Sequence, residues 1–277
     1  MLKRILVAVV GVPTLLAVLC VCPDWATALL LCALCVIGAH ELLSAVQEKK
    51  KQRYWMLSAV MSLCVVFMPY LREEKYANTA FFLFPWVLAV FILLVFACYV
   101  VEYGGSNALQ FFDVCVIFAA GAVIPMAFSC LLRLRLMACG KALVLVPLVS
   151  AFCSDAAALF TGMAAGRHKL APKVSPNKTR EGALGGLVGG VVGMLLLRIV
   201  YFLISEVQFH VGWCVVLGLL GAAAGQLGDL VFSAIKRQYG IKDYGKLLPG
   251  HGGVLDRFDS VIFAAPLTWL LLQYIQL

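Results

Sequence analysis

The sequence predicts an all-α, polytopic integral membrane protein with about nine transmembrane helices and a cytoplasmic N-terminus. Three observations carry that expectation. Hydrophobic residues fill 63% of the 277 positions and charged residues only 13%, with a mean hydropathy of +0.99. An average soluble domain holds roughly 45–50% apolar and about 25% charged residues. Too little polar side chain remains to coat a water-facing globule, which excludes a soluble enzyme and a disordered chain. The apolar residues gather into stretches near the ~20 residues that cross a bilayer. Lastly, Lys and Arg sort unevenly between alternate loops.

The candidate spans run over 5–22, 25–47, 54–71, 80–101, 111–132, 142–163, 183–204, 211–235 and 259–276. Lys3 and Arg4 precede the first, and no small-residue cleavage site follows Cys22-Pro23-Asp24, so that stretch reads as a span. No soluble domain fits. The expected organisation is one membrane domain, 1–277, with N-terminal helices over 1–141. Over 142–277 it has chemistry-bearing helices and two polar loops, 164–181 and 236–258.

The net charge of +8 comes from 22 Lys and Arg against 14 Asp and Glu. In a soluble chain that excess would suggest nucleic acid. Here no nucleic-acid partner is expected, because cytoplasmic loops, anionic lipid and nucleotide phosphate account for it. With the N-terminus inside, sixteen Lys and Arg fall on inner segments and five on outer ones, with Arg198 inside a span. Only two spans separate loops 164–181 and 236–258, so both lie on one side. The expected location is a cell membrane, most simply a bacterial inner membrane, with the polar loops facing the cytoplasm.

The eleven cysteines lie mostly in apolar runs, where Cys packs as a small hydrophobe. Cys32 and Cys35 form a C-x-x-C, but no second pair or His cluster completes a zinc site. Gly182, Gly186 and Gly190, and likewise Gly185, Gly189 and Gly193, repeat at four-residue spacing. Such stripes let helices approach closely in lipid. A hinge or a subunit interface, hence a homodimer, is the sharper reading of the same pattern.

Charged groups within spans cost about 2.5–3.5 kcal/mol at a helix centre. Glu41, Asp155, Arg198 and Asp229 are the candidates, with Asp113 nearer an interface. Asp229, Ser233, Lys236 and Arg237 fall at i, i+4, i+7 and i+8, forming one polar stripe on a helix. A deep carboxylate, a hydroxyl midway and cations at the mouth suit a metal–phosphate complex. The next loop ends Leu248-Pro249-Gly250-His251-Gly252-Gly253-Val254-Leu255-Asp256-Arg257-Phe258-Asp259-Ser260. Its glycines allow close backbone approach to phosphate. One Asp would serve as a helix cap; two beside an Arg and a His-Gly-Gly turn ask for more.

The run from Ser233 through Lys236-Arg237, Lys242-Asp243, Gly245 and Leu248-Pro249-Gly250-His251-Gly252-Gly253 to Asp256-Arg257-Phe258-Asp259 resembles the signature of the phosphatidate cytidylyltransferases, or CDP-diacylglycerol synthases. A second motif of that family resembles Ser175-Pro176-Asn177-Lys178-Thr179-Arg180-Glu181-Gly182. One departure is visible: members commonly read Asp-x-x-Ala-Tyr-Phe-x-Gly where this chain has Asp155-Ala-Ala-Ala158-Leu159-Phe160-Thr161-Gly162.

The resemblance implies transfer of a cytidylyl group from CTP to phosphatidic acid, releasing pyrophosphate. It also implies Mg2+, with Asp229 and Asp256 at the metal positions and a second cation compatible with the chemistry. On this reading Lys236, Arg237, His251, Arg257 and Asp259 complete the catalytic set. Ser175, Lys178, Thr179, Glu181, Ser233, Gly252 and Gly253 contact substrate. The rivals are a CTP-dependent lipid kinase, which would release CDP, and a multi-span transporter, although no second copy of the 228–259 pattern exists.

Overall fold

A computed structural model describes residues 2–47, 54–73, 77–105, 108–205, 209–245 and 252–274. The described chain is helical except for one hairpin. In order it runs α1 (Leu2–Cys20), α2 (Asp24–Val46), α3 (Trp55–Glu73), α4 (Ala77–Val101), α5 (Phe111–Phe118), a π-helical turn (Ala119–Val123) and α6 (Ile124–Leu136). Then come α7 (Gly140–Leu143), α8 (Leu145–Ala165), β1 (Lys169–Ala171), β2 (Ser175–Thr179), α9 (Arg180–Ser205), α10 (Val211–Gln238) and α11 (Leu255–Leu272).

Among the described residues six helical segments are long and apolar enough to cross a membrane: Asp24–Val46, Leu83–Val101, Phe111–Leu136, Gly140–Ala165, Arg180–Ser205 and Val211–Gln238. Val9–Cys20 and Trp55–Leu71 are apolar but shorter. In α11, Asp256, Arg257 and Asp259 occupy the first turn and a half, which shortens its apolar stretch. The polar 164–181 segment, expected as a loop, is instead organised around an antiparallel hairpin pairing Lys169 with Thr179 and Ala171 with Ser175. All eleven cysteines are free thiols.

The chain forms two compact units, Met1–Leu136 with Asp243–Arg257, and Met137–Lys242 with Phe258–Leu277. In the first, Ser58 and Ser62 of α3 donate to the carbonyls of Ile117 and Ala120, each at 3.4 Å. Such bonds satisfy hydroxyls that lipid cannot. The π-helical turn precedes Pro125, which lacks the amide that an α-helix would direct at the Gly121 carbonyl; a wider turn absorbs that loss. Asp113 sits at the start of α5, where its carboxylate accepts the Gln110 amide at 2.8 Å as a cap. Arg135 of α6 fastens the α1–α2 turn. Its guanidinium meets Asp24 at 2.7 Å and donates to the carbonyls of Leu19 (2.8 Å) and Cys22 (3.2 Å).

The second unit is built on glycine. Along α9, Gly185, Gly189 and Gly193 abut Thr161, Cys153 and Ala157 of α8, while Gly186 and Gly190 abut Ser154 and Ala158 of α8 and Gln226, Gly218 and Ala222 of α10. A methyl at Gly190 would lie 2.6 Å from Ala222 Cβ and 2.7 Å from the Gly218 carbonyl, so no larger residue fits. Both stripes are thus used within the unit, as tight packing rather than as a face for a second subunit. The opposite side of α9 presents Leu184, Val188, Val192, Leu196 and Leu203, exposed as a lipid-facing row requires. Arg198 caps the turn before α10 by donating to the Phe209 carbonyl at 2.7 Å.

Candidate active site

Polar residues of the second unit converge on Asp229 of α10. The helix places Ser233 one turn later on the same face, and its hydroxyl donates to Asp229 Oδ1 at 3.1 Å. The hairpin delivers Lys178 from β2, whose Nζ lies 2.5 Å from Asp229 Oδ2. Both side chains keep about a quarter of their surface open (27% and 25%), so the pair is reachable rather than sealed. The compensating charge that the sequence suggests for a metal is therefore already supplied in part by Lys178.

Two further carboxylates surround that pair. Asp155 of α8 and Asp259 of α11 each lie close enough to Asp229 to be repelled by it, and Lys178 and Lys236 offset part of the repulsion. Ser260 links the two acids. Its hydroxyl donates to Asp155 Oδ2 at 3.3 Å, while its amide donates to Asp259 Oδ1 at 2.8 Å. Gly228 lets α11 approach α10 here: a methyl at Gly228 would meet the Asp259 carbonyl at 2.5 Å. Arg237 reaches back to the hairpin turn and donates to the Val174 carbonyl at 3.1 Å.

Asp229 and the Ser233 hydroxyl beside it are hard-oxygen donors of the kind Mg2+ prefers, and Asp155 and Asp259 add carboxylates nearby. Among the described residues no three His, Cys, Asp or Glu side chains converge into a cage for a metal ion. Mg2+ does not need one, since it is commonly held by one or two carboxylates together with substrate phosphates and water. The donor set therefore fits that ion.

The Cytidylyltransferase family profile matches residues 2–275, nearly the whole chain. The chain belongs to the cytidylyltransferase family. It is similar to the phosphatidate cytidylyltransferase of Bacillus subtilis (strain 168), 34% identical over 245 residues covering 88% of this chain and 87% of that protein. The phosphatidate cytidylyltransferase of Staphylococcus aureus (strain COL) is 34% identical over 86% of each chain. That of Brucella suis biovar 1 (strain 1330) is 52% identical over 118 residues, 42% of each chain.

The remaining positions of the cytidylyltransferase signature divide between the two units. In the second, Ser175 opens β2. Thr179 is buried, and its hydroxyl accepts the Gly182 amide at 3.0 Å, capping α9. Glu181 accepts the Arg167 and His168 amides at 3.1 and 3.2 Å and meets His168 Nδ1 at 2.6 Å, closing the base of the hairpin. In the first unit, Asp256 Oδ2 accepts the amides of Tyr244 (2.8 Å) and Gly253 (2.9 Å). Gly252 has φ +83°, a left-handed conformation that favours glycine, and a methyl there would meet Asp256 Oδ2 at 2.8 Å. Arg257 is exposed, and His251 lies outside the described residues. Sequence reasoning missed Ser260, for which a hydroxyl beside Asp259 at the mouth of an apolar stretch was the available signal.

Proposed function

We propose that this cytidylyltransferase transfers the cytidylyl group of CTP to phosphatidic acid, forming CDP-diacylglycerol and pyrophosphate. The observation that carries the reading is the Lys178–Asp229–Ser233 arrangement, in which both family motifs meet at one carboxylate. The phosphate monoester of phosphatidic acid attacks the α-phosphorus of CTP. A new phosphorus–oxygen bond forms there as the bond to the β-phosphate bridging oxygen breaks. Both reactants are anions, so their repulsion is the main obstacle. Asp229 and, by the family resemblance, Asp256 are each assigned to Mg2+, which would supply positive charge to offset that repulsion and to stabilise the departing pyrophosphate.

The chain's own cations do related work. Lys178 holds Asp229 in one orientation and can exchange that contact for a substrate phosphate, because about a quarter of each side chain is uncovered by protein. Lys236, Arg237, His251 and Arg257 are assigned to phosphate, and Asp259 to holding Ser260 beside Asp155. No protein nucleophile is needed, since the lipid phosphate attacks directly. Assay with labelled CTP and phosphatidic acid tests the reading. CDP-diacylglycerol with pyrophosphate supports it; CDP with a newly phosphorylated lipid would make the protein a kinase; no turnover would favour a transporter.

The same reading places all nine helical stretches across the membrane, with the N-terminus and both motif segments in the cytoplasm. Contacts within each unit support this parity. Arg135 joins the α6 end to the α1–α2 turn, both expected outside. Tyr54 donates to Glu102, joining two segments expected inside. Arg237 joins the end of α10 to the hairpin, also inside. Cysteines introduced at Asn177 and at exposed Lys242 should resist a membrane-impermeant thiol reagent in intact cells, against the parent chain as background, and react after permeabilisation. Labelling of either from outside would overturn the orientation.

A further inference from the structure

Glu41 has no part in the chemistry above, yet it is a carboxylate within the apolar helix α2 and only 5% exposed. Its two oxygens are both engaged. Oε1 accepts the Val254 amide and Oε2 the Leu255 amide, each at 3.0 Å. These are donors at the start of α11, which has no earlier turn to bond them. The preceding amide, Gly253, goes to Asp256. Three consecutive amides therefore hold two carboxylates side by side, and those carboxylates repel each other.

The signature glycines acquire a physical reason from this arrangement. A methyl at Gly245 would lie 2.7 Å from Glu41 Cδ, and one at Gly253 would lie 2.5 Å from it. Both positions must be bare for the Glu41 carboxylate to enter between them. The slot is therefore shaped by the signature segment and filled from a helix more than two hundred residues away in sequence.

We infer that Glu41 is a positioning residue for Asp256: by clamping the Val254 and Leu255 amides it fixes the backbone from which Asp256 projects. The inference rests on the proposed role of Asp256 as a Mg2+ ligand. Removing an outer partner of a metal ligand commonly weakens metal affinity by about 10–100-fold. Glu41 would act at that remove, through the backbone, without touching substrate.

The test uses the full-length protein in lipid nanodiscs, comparing wild type, Glu41→Gln and Glu41→Ala. Leu31→Ala serves as a control for lost packing, because Leu31 is buried in α2 about 15 Å away along the helix. Hydrogen exchange at the Val254 and Leu255 amides should speed up about tenfold or more in Glu41→Ala, less in Glu41→Gln, and not in Leu31→Ala. The Mg2+ concentration for half-maximal cytidylyl transfer should rise about tenfold in Glu41→Ala. Activity should return toward wild type at high Mg2+, with KM for CTP changed little.

Unchanged amide exchange in Glu41→Ala would overturn the clamp. Faster exchange with wild-type Mg2+ dependence would overturn the positioning role. A wild-type protein without cytidylyl transfer would overturn the proposed function instead, leaving the clamp supported if the exchange arm shows the expected gain.

Discussion

Asp229→Asn is expected to lower cytidylyl transfer about a thousandfold, the upper range for losing one preorganised electrostatic group in an active site, while the protein still inserts and folds. Asparagine matches aspartate in shape and can still accept the Ser233 hydroxyl bond. What it loses is charge. Lys178, 2.5 Å away, is left with an ammonium facing a neutral amide, and one hard anionic oxygen leaves the donor set. Because both groups are about a quarter uncovered by protein, the released ammonium can turn away from the neutral amide, so the penalty falls on turnover more than on stability. The measurement is kcat over a Mg2+ titration, alongside thermal unfolding. Near-wild-type kcat at saturating Mg2+ would remove Asp229 from the chemistry.

Lys178→Ala is expected to reduce kcat/KM for CTP by about tenfold or more, the loss of one charge-assisted contact. Its direction on the metal is opposite. Removing the ammonium leaves Asp155 and Asp229 with less neighbouring positive charge. The site should therefore draw Mg2+ more strongly, and half-saturation should occur at lower Mg2+ as KM for CTP rises. Lys178→Arg should recover part of the loss. Combined with Asp229→Asn, the effects should be markedly less than additive, since the two groups share one interaction. Strict additivity, or an unchanged KM for CTP, would separate Lys178 from the nucleotide.

The apolar stretches were legible because span length is a blunt physical requirement: helix runs through each of them, and among the described residues six helical segments are long and apolar enough to cross a membrane. The Asp229–Ser233 stripe was legible for a similar reason: helical periodicity fixes it without tertiary information. The glycine stripes of α9 also announced their packing, though not their partners on α8 and α10. The hairpin was not legible. Strands of three and five residues are too short to show alternation, and tertiary bonds from Glu181 and Arg237 tie that segment down. The partner of Lys178 was equally hidden, because a basic loop looks alike whether its lysine meets phosphate or carboxylate. Glu41 stood out as a charge in an apolar helix, but its amide partners lie 213 and 214 residues away, beyond any local pattern.

The Arg135 fastening has a consequence for biogenesis. The carbonyls of Leu19 and Cys22 leave the ribosome 116 and 113 residues before the guanidinium that binds them. At roughly 5–20 residues per second, that interval is about 6–23 seconds. During it the first two helices can enter the bilayer as a hairpin, but their turn is held only by local bonds such as that from the Thr27 hydroxyl to the Val18 carbonyl. Closure must wait until α6 has been made, so the earliest-synthesised part of the protein is among the later parts to be secured. A chain arrested before residue 135 should therefore carry an α1–α2 turn more open to proteolysis than the finished protein does.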